Sequence, residues 1–290
     1  MLIGVGSALG QSGQVVGWGG NFSGQASPPA GDFTAIAGGT SFSLGVRTDG
    51  TLAGWGDNFF GQINVPTGTF RVVSAGEGHG VALRTDGTLE AWGYNVMGQA
   101  AAPAGAYTAI ASNFMHNLAI RTDGTLAGWG WNFYGQASVP SGSFKAIAAG
   151  TNHSIGVRTD GTLAFWGRDS NGVGNLPAGQ FTAVAAGTDF NIAIRANGTL
   201  AGWGYNFYGQ TDVPVGTFVA IAAGVNFGLG LRSDGQLVGW GRNESGQAQP
   251  PAGTFAAVAA GFGHGLAIVP TPGSLVCAGL VIVIFLKRAR

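Results

Sequence analysis

The side chains best suited to acid–base or metal chemistry are four histidines, His79, His116, His153 and His264. Their spacing argues against such a role. All four fall in one slot of a repeat, and the other copies put Phe42, Phe190 and Phe227 there. A slot that takes either ring is expected to be a partly buried packing position. The acids are equally periodic. Asp49, Asp86, Asp123, Asp160 and Asp234 each stand beside an arginine of the same motif: Arg47, Arg84, Arg121, Arg158 and Arg232. Glu77, Glu90 and Glu244 occupy different slots, so no paired carboxylates of the glycosidase kind are readable. No Ser-His-Asp set stands out. A single cysteine, Cys277, excludes an intrachain disulfide framework and a multi-cysteine zinc site. No catalytic residue, metal or cofactor is expected, and the chain is not expected to be an enzyme.

The elements that carry these residues follow from one period. Trp-Gly pairs begin at Trp18, Trp55, Trp92, Trp129, Trp166, Trp203 and Trp240, each step being 37 residues. Pro29 to Pro251 and Gly13 to Gly235 keep the same step, without insertion or deletion. Within a unit, Phe144–Gly150 is a short apolar run ended by glycine, and His153–Arg158 alternates. Asp160-Gly161 then marks a hairpin, expected as a type I′ turn with positive φ at both residues. Thr162–Trp166 is the next strand, and a short fourth strand is expected to end at Leu176-Pro177. No window has a helical period.

Such units, repeated radially, predict an all-β, seven-bladed β-propeller over residues 11–269. Residues 12–19 supply the strand after the hairpin, and 257–261 with 264–269 supply the first two. One blade is therefore expected to be built from both termini, which removes free sheet edges. The periodic tryptophans are expected in the core between blades. The glycines of Trp-Gly-x-Asn-x-x-Gly-Gln follow a strand but open no helix, so they are not phosphate loops.

Composition excludes other classes. The net charge is zero, with 13 Lys+Arg against 13 Asp+Glu, so the basic field of nucleic-acid binding is missing. With 45% hydrophobic residues the chain can bury a core, which argues against disorder. The glycines have no collagen period.

The pattern A-x-A-A-G-x-x-H-x-x-x-L/V-R-x-D-G-x-L-x-x-W-G-x-N-x-x-G-Q resembles the regulator of chromosome condensation repeat. Ala148–His153 and Trp129–Gln136 carry it well. The fifth copy departs, with Asp169 for Asn and Val173 for Gln. The short unit, with Val-Pro after Gly-Gln, looks closer to secreted bacterial propellers of this superfamily, the β-lactamase-inhibitor type among them. The resemblance implies nucleotide exchange and chromatin docking for nuclear members, through irregular insertions. This chain has no such insertions and no basic tail on the propeller, so neither activity is expected.

Residues 270–290 form a separate segment. Pro270, Pro272 and Gly273 lie in a turn-rich linker, Leu275–Leu286 is apolar, and Lys287, Arg288 and Arg290 end the chain. Twelve helical residues span about 18 Å, short of the ~30 Å hydrocarbon core. The order is similar to a PEP-CTERM sorting signal, with Thr271 where that motif has Glu. It implies an exosortase-type protease as a partner, export, and a transient membrane anchor in the tail alone. Residues 1–10 have no cation and no long apolar run, so an upstream start is expected.

Strand directions put the first-to-second-strand loop and the Trp-Gly loop on one face, with the Asp-Gly hairpins on the other. The first face then receives Tyr94, Phe114, Trp131, Phe133, Tyr134, Tyr205, Phe207 and Tyr208, with Phe22, Phe59, Phe60, Val96, Met97, Met115 and Phe262. About half of these rings are expected to fold back over their own blade, and the rest to form a recognition patch. The expected function is a monomeric, exported, non-enzymatic module that recognises a protein through this face. In the inhibitor relatives, aromatics of these loops resemble the partner-binding set, so a secreted enzyme inhibitor is one alternative. Another is a carbohydrate-binding propeller, with Asn58, Asn132 and Asn206 as polar partners beside the rings. A hydrolase would need acids or His clustered at the axis, where Ala, Gly, Val and Ile are expected.

Overall fold

The computed structural model describes residues 11–271. Strand β1 (Gly13–Gly19) precedes six triplets. The first three are β2 (Asp32–Gly38), β3 (Phe42–Arg47) and β4 (Leu52–Gly56); β5 (Phe70–Ala75), β6 (His79–Arg84) and β7 (Leu89–Gly93); and β8 (Tyr107–Asn113), β9 (His116–Arg121) and β10 (Leu126–Gly130). The next are β11 (Phe144–Ala149), β12 (His153–Arg158) and β13 (Leu163–Gly167); β14 (Phe181–Ala186), β15 (Phe190–Arg195) and β16 (Leu200–Gly204); and β17 (Phe218–Ala223), β18 (Phe227–Arg232) and β19 (Leu237–Gly241). Strands β20 (Ala257–Ala260) and β21 (His264–Pro270) follow. Each triplet is an antiparallel blade. Strand β20 pairs with β21, β21 pairs with β1, and β1 also touches β2, giving one six-stranded sheet in the order β20-β21-β1-β2-β3-β4. The expected fourth strand is absent among the described residues: the proline stretch carries turn hydrogen bonds, such as Asn175 N–H to Gly172 O, and no ladder.

The hairpins also differ from expectation. Gly50 N–H donates to Arg47 O, and Arg47 N–H to Thr51 O. Only the glycine has positive φ, 83° at Gly50. This is a three-residue loop, a type I turn closed by a glycine bulge, and not type I′. Asp49 Oδ1 accepts from Thr51 N–H and Oγ1–H, which holds the turn and lowers the carboxyl's pKa. The glycine serves the next blade too: Gly50 O accepts from Phe70 N–H, and Gly161 O from Phe181 N–H.

Phe33, Phe70, Tyr107, Phe144, Phe181 and Phe218 hold the same position at the start of successive blades and are buried. Burial of each such ring contributes about 1.5–3 kcal/mol. The hairpin arginine lies over the phenylalanine ring, as with Arg158 at 4.9 Å from the Phe144 centroid, and its guanidinium donates to a loop carbonyl, Ser141 O. Each periodic tryptophan packs between blades, and its indole N–H donates to a carbonyl of the preceding unit. Trp55 reaches Gln25 O, Trp166 reaches Gln136 O and Trp240 reaches Gln210 O. Trp18 donates to Gln247 O at 3.0 Å, joining the two ends of the chain by the same bond.

Candidate functional site

The histidine slot is fully buried, not partly so. Each Nε2 reaches the residue after the slot in the next blade: His79 to Asn117, His116 to Ser154, His153 to Asn191 and His264 to Ser43, at 2.8–2.9 Å. Ser43 and Ser154 spend their hydroxyl protons on Gln25 O and Gln136 O, so they accept from the imidazoles. Asn117 and Asn191 donate through Nδ2 to Gln99 O and Val173 O, leaving Oδ1 to accept. All four rings are thereby Nε2–H tautomers, with Nδ1 buried and unpartnered. Where the slot holds Phe42, Phe190 or Phe227, the next blade has Gly80, Gly228 or Gly265. Burial drives the imidazole pKa down from 6.5, to about 4 for His79 and His264 and about 3 for His116. His153 is lowered for the same reason. These are neutral, structural groups.

An axial cavity of about 80 Å³ is lined by the inner strands, among them Ala37, Ala148, Ala185 and Ala259. Its polar lining is Thr40, Ser74, Ser112, Asn113 and Thr188. Among the described residues, no group of three or more His, Cys, Asp or Glu could hold a metal ion.

The two loops expected on one face are hydrogen-bonded to each other, as by Trp131 N–H to Met115 O and Tyr205 N–H to Asp189 O. Each Trp-Gly-x-Asn-x-x-Gly-Gln loop is held by two side chains. Asn132 Oδ1 accepts from Ala137 N–H, and Gln136 Oε1 accepts from Tyr134 N–H. Gly135 has φ of 79°. The two residues between Asn and Gly are thereby pushed outward. The first of them protrudes most: Phe22, Phe59, Phe133 and Phe207 are 99%, 83%, 78% and 75% exposed, and Val96 stands in the same slot. Tyr134 and Tyr208 are far less exposed. Arg168 and Arg242 of the following blades lie 5.2 and 5.6 Å from their ring centroids. Tyr94, Phe114, Trp131 and Tyr205 are half-buried. Tyr94 packs on Phe60 at 4.4 Å. The eight rings thus share one face, but their exposure is concentrated in Phe133 and Phe207.

Phe114 has a φ of 41°. For a bulky residue this costs on the order of 1–3 kcal/mol. The asparagines proposed beside the rings are committed to their loops: Asn58 bonds Ile63 and Asn64, Asn132 bonds Ala137 and Ser138, and Asn206 bonds Thr211 and Asp212. Pro272, Gly273, Lys287, Arg288 and Arg290 lie outside the described residues. Pro270 ends β21 and faces Gly13.

The described fold and its repeat geometry agree with a family model. The model of the regulator of chromosome condensation (RCC1) repeat matches residues 33–62, 70–99, 107–136, 144–173, 181–210 and 218–247. The chain belongs to the RCC1 repeat family. No curated protein matches it. Among solved structures it is similar to Prp20p of Saccharomyces cerevisiae, with TM-score 0.78 and 15% identity, over 93% of this chain and 94% of that one. Human WBSCR16 gives 0.77 and 17%, over 89% and 99%. The CRINKLY ectodomain of the Arabidopsis thaliana receptor kinase ACR4 gives 0.64 and 25%, over 74% and 81%. RCC1-like propellers commonly serve as protein-binding modules. Among the described residues no helix is long and apolar enough to cross a membrane.

Proposed function

We propose that this RCC1-repeat chain is a seven-bladed, exported, non-enzymatic module that binds a protein through its aromatic loop face. Seven-fold closure is supported by the Trp18–Gln247 bond, which repeats at the chain ends the bond made by every other periodic tryptophan, and by the His264–Ser43 bond, which repeats that of His116 with Ser154. The observation that carries the binding reading is the set Phe22, Phe59, Phe133 and Phe207, held out by stapled loops at one repeat position. Large exposed rings on a rigid frame lose little entropy on binding and anchor protein interfaces. A glycan site needs planar polar groups free to turn toward the sugar, and the amides of Asn58, Asn132 and Asn206 are each tied through both oxygen and nitrogen to their own loops. The structural relative Prp20p is described with binding properties to Gsp1p and histones, which fits a protein partner of some kind. The apolar segment before Lys287 supports a sorted, transiently anchored chain cut by an exosortase-type protease.

The test is capture from a native envelope fraction by the immobilised full chain. Phe133→Ala with Phe207→Ala should strip the captured proteins, and Thr159→Ala on the hairpin face should not. Equal capture by all three chains would refute the reading. The C-terminal mass of the mature protein tests the tail: a chain still ending at Arg290 sinks the sorting proposal.

A further inference from the structure

The third blade departs from the repeat at one point. Asn113 stands where the other copies have Gly39, Gly76, Gly150, Gly187, Gly224 and Gly261, and β8 runs on to pair Asn113 with His116. Phe114 follows in the left-handed region; Asn171 is the other non-glycine residue with positive φ among those described. This backbone lays the Phe114 ring on Trp131, at 5.5 Å between centroids. Trp131 contacts Tyr134 at 6.0 Å, and Tyr134 meets Phe133 edge-on at 5.0 Å. A continuous aromatic strip therefore runs from beside the axial cavity to the rim.

Arg168 closes the strip, its guanidinium lying over Tyr134. Arg168 is exposed and, among the described residues, the ion pairs are Arg84–Glu90 and Arg242–Glu244. The acids of its own and the adjacent loop are turned away: Asp169 accepts from Gly174 N–H, and Asp189 from Ser170 and Asn171. The second ridge, Tyr205, Phe207 and Tyr208, ends in Arg242, whose charge Glu244 already neutralises. Thr188 stands there in the slot of Phe114. Of two similar ridges, one alone ends in an open cation.

We propose that the Phe114–Trp131–Tyr134 strip docks an extended segment of a partner protein in which aromatic or branched aliphatic side chains precede a carboxylate, the carboxylate resting on Arg168. This rests on the reading of the face as a protein-recognition surface. A guanidinium stacked on a ring is pre-oriented, so it loses little freedom when it meets a carboxylate.

The probes are two fluorescein-labelled peptides, Gly-Phe-Pro-Leu-Phe-Asp and the same sequence ending in Asn, both amidated, read by fluorescence anisotropy on the full chain. The Asp peptide should bind about tenfold more tightly. Arg168→Gln should erase that preference, and Arg242→Gln should leave it. Phe114→Gly should weaken binding about tenfold while the melting temperature holds or rises, because glycine accepts the φ. Equal binding of the two peptides, no binding of either, or a preference that survives Arg168→Gln overturns the proposal. If it falls while the Phe133 and Phe207 variants still abolish capture from the envelope fraction, the face reading stands without it.

Discussion

Lowering the pH adds protons to an unfolded chain before it can add them to the four buried imidazoles. Each ring already uses Nε2–H in a bond to the next blade, and a second proton, taken up at Nδ1, would find no acceptor to donate to. The folded pKa values of His79 and His264 are near 4 and that of His116 near 3, against 6.5 unperturbed. A depressed folded pKa means that the unfolded state binds more protons below about pH 6.5, so stability is full above that pH and falls as pH drops toward the folded values. Each histidine then costs somewhat over 1 kcal/mol per pH unit. Three together cost about 4 kcal/mol per unit, on the order of 8 kcal/mol between about pH 6 and pH 4, against a whole stability of about 5–15 kcal/mol. His153 acts in the same direction. Its neighbours Asp169 and Asp189 favour the charged ring, and His79 and His153 oppose it at His116. Glu77, raised by burial, works weakly the other way. The hairpin aspartates are lowered below 3.8 and act only in stronger acid. Urea midpoints followed by tryptophan fluorescence at about pH 7.5, 6.5, 5.5 and 4.5 should fall steeply over the last three. The double change His264→Phe with Ser43→Gly, which copies the Phe42/Gly80 pair, should flatten that slope by about a quarter. A midpoint that stays level down to about pH 4.5 would refute the reasoning.

Other outcomes are as specific. His153→Phe alone should cost about 1–3 kcal/mol in a urea titration, because Asn191 Oδ1 loses its donor, and adding Asn191→Gly should recover most of the loss. Deleting residues 256–269 removes β20 and β21, and calorimetry should show the whole ring melting at a lower temperature, not one frayed blade. Gly50→Ala, at a φ of 83° with its new Cβ in ordinary contact with Thr69, should cost about 1 kcal/mol by denaturant melt, from backbone strain alone.

The amino-acid order was enough for the repeat and for most of the strands. Trp, Pro and Gly recur every 37 residues, and a strict period in a chain without helical patterning forces each unit to bury its faces against its neighbours. It also separated the two faces, since strand direction alternates whatever the contacts. Local signals misjudged the hairpin, because Asp49-Gly50 suits either a type I′ turn or a glycine bulge, and the bond from Gly50 O to the next blade favours the bulge. The histidine rule was present but unread. His79 with Asn117 and Phe42 with Gly80 are 38 positions apart, and that spacing has meaning only once consecutive blades lie side by side. Asn132 looks the same in a sequence whether it faces a ligand or its own loop, and folding assigned it to Ala137 and Ser138. Exposure was likewise a tertiary outcome. Phe133 and Tyr134 are adjacent and chemically alike, yet Arg168 from the next blade covers the tyrosine and leaves the phenylalanine in water.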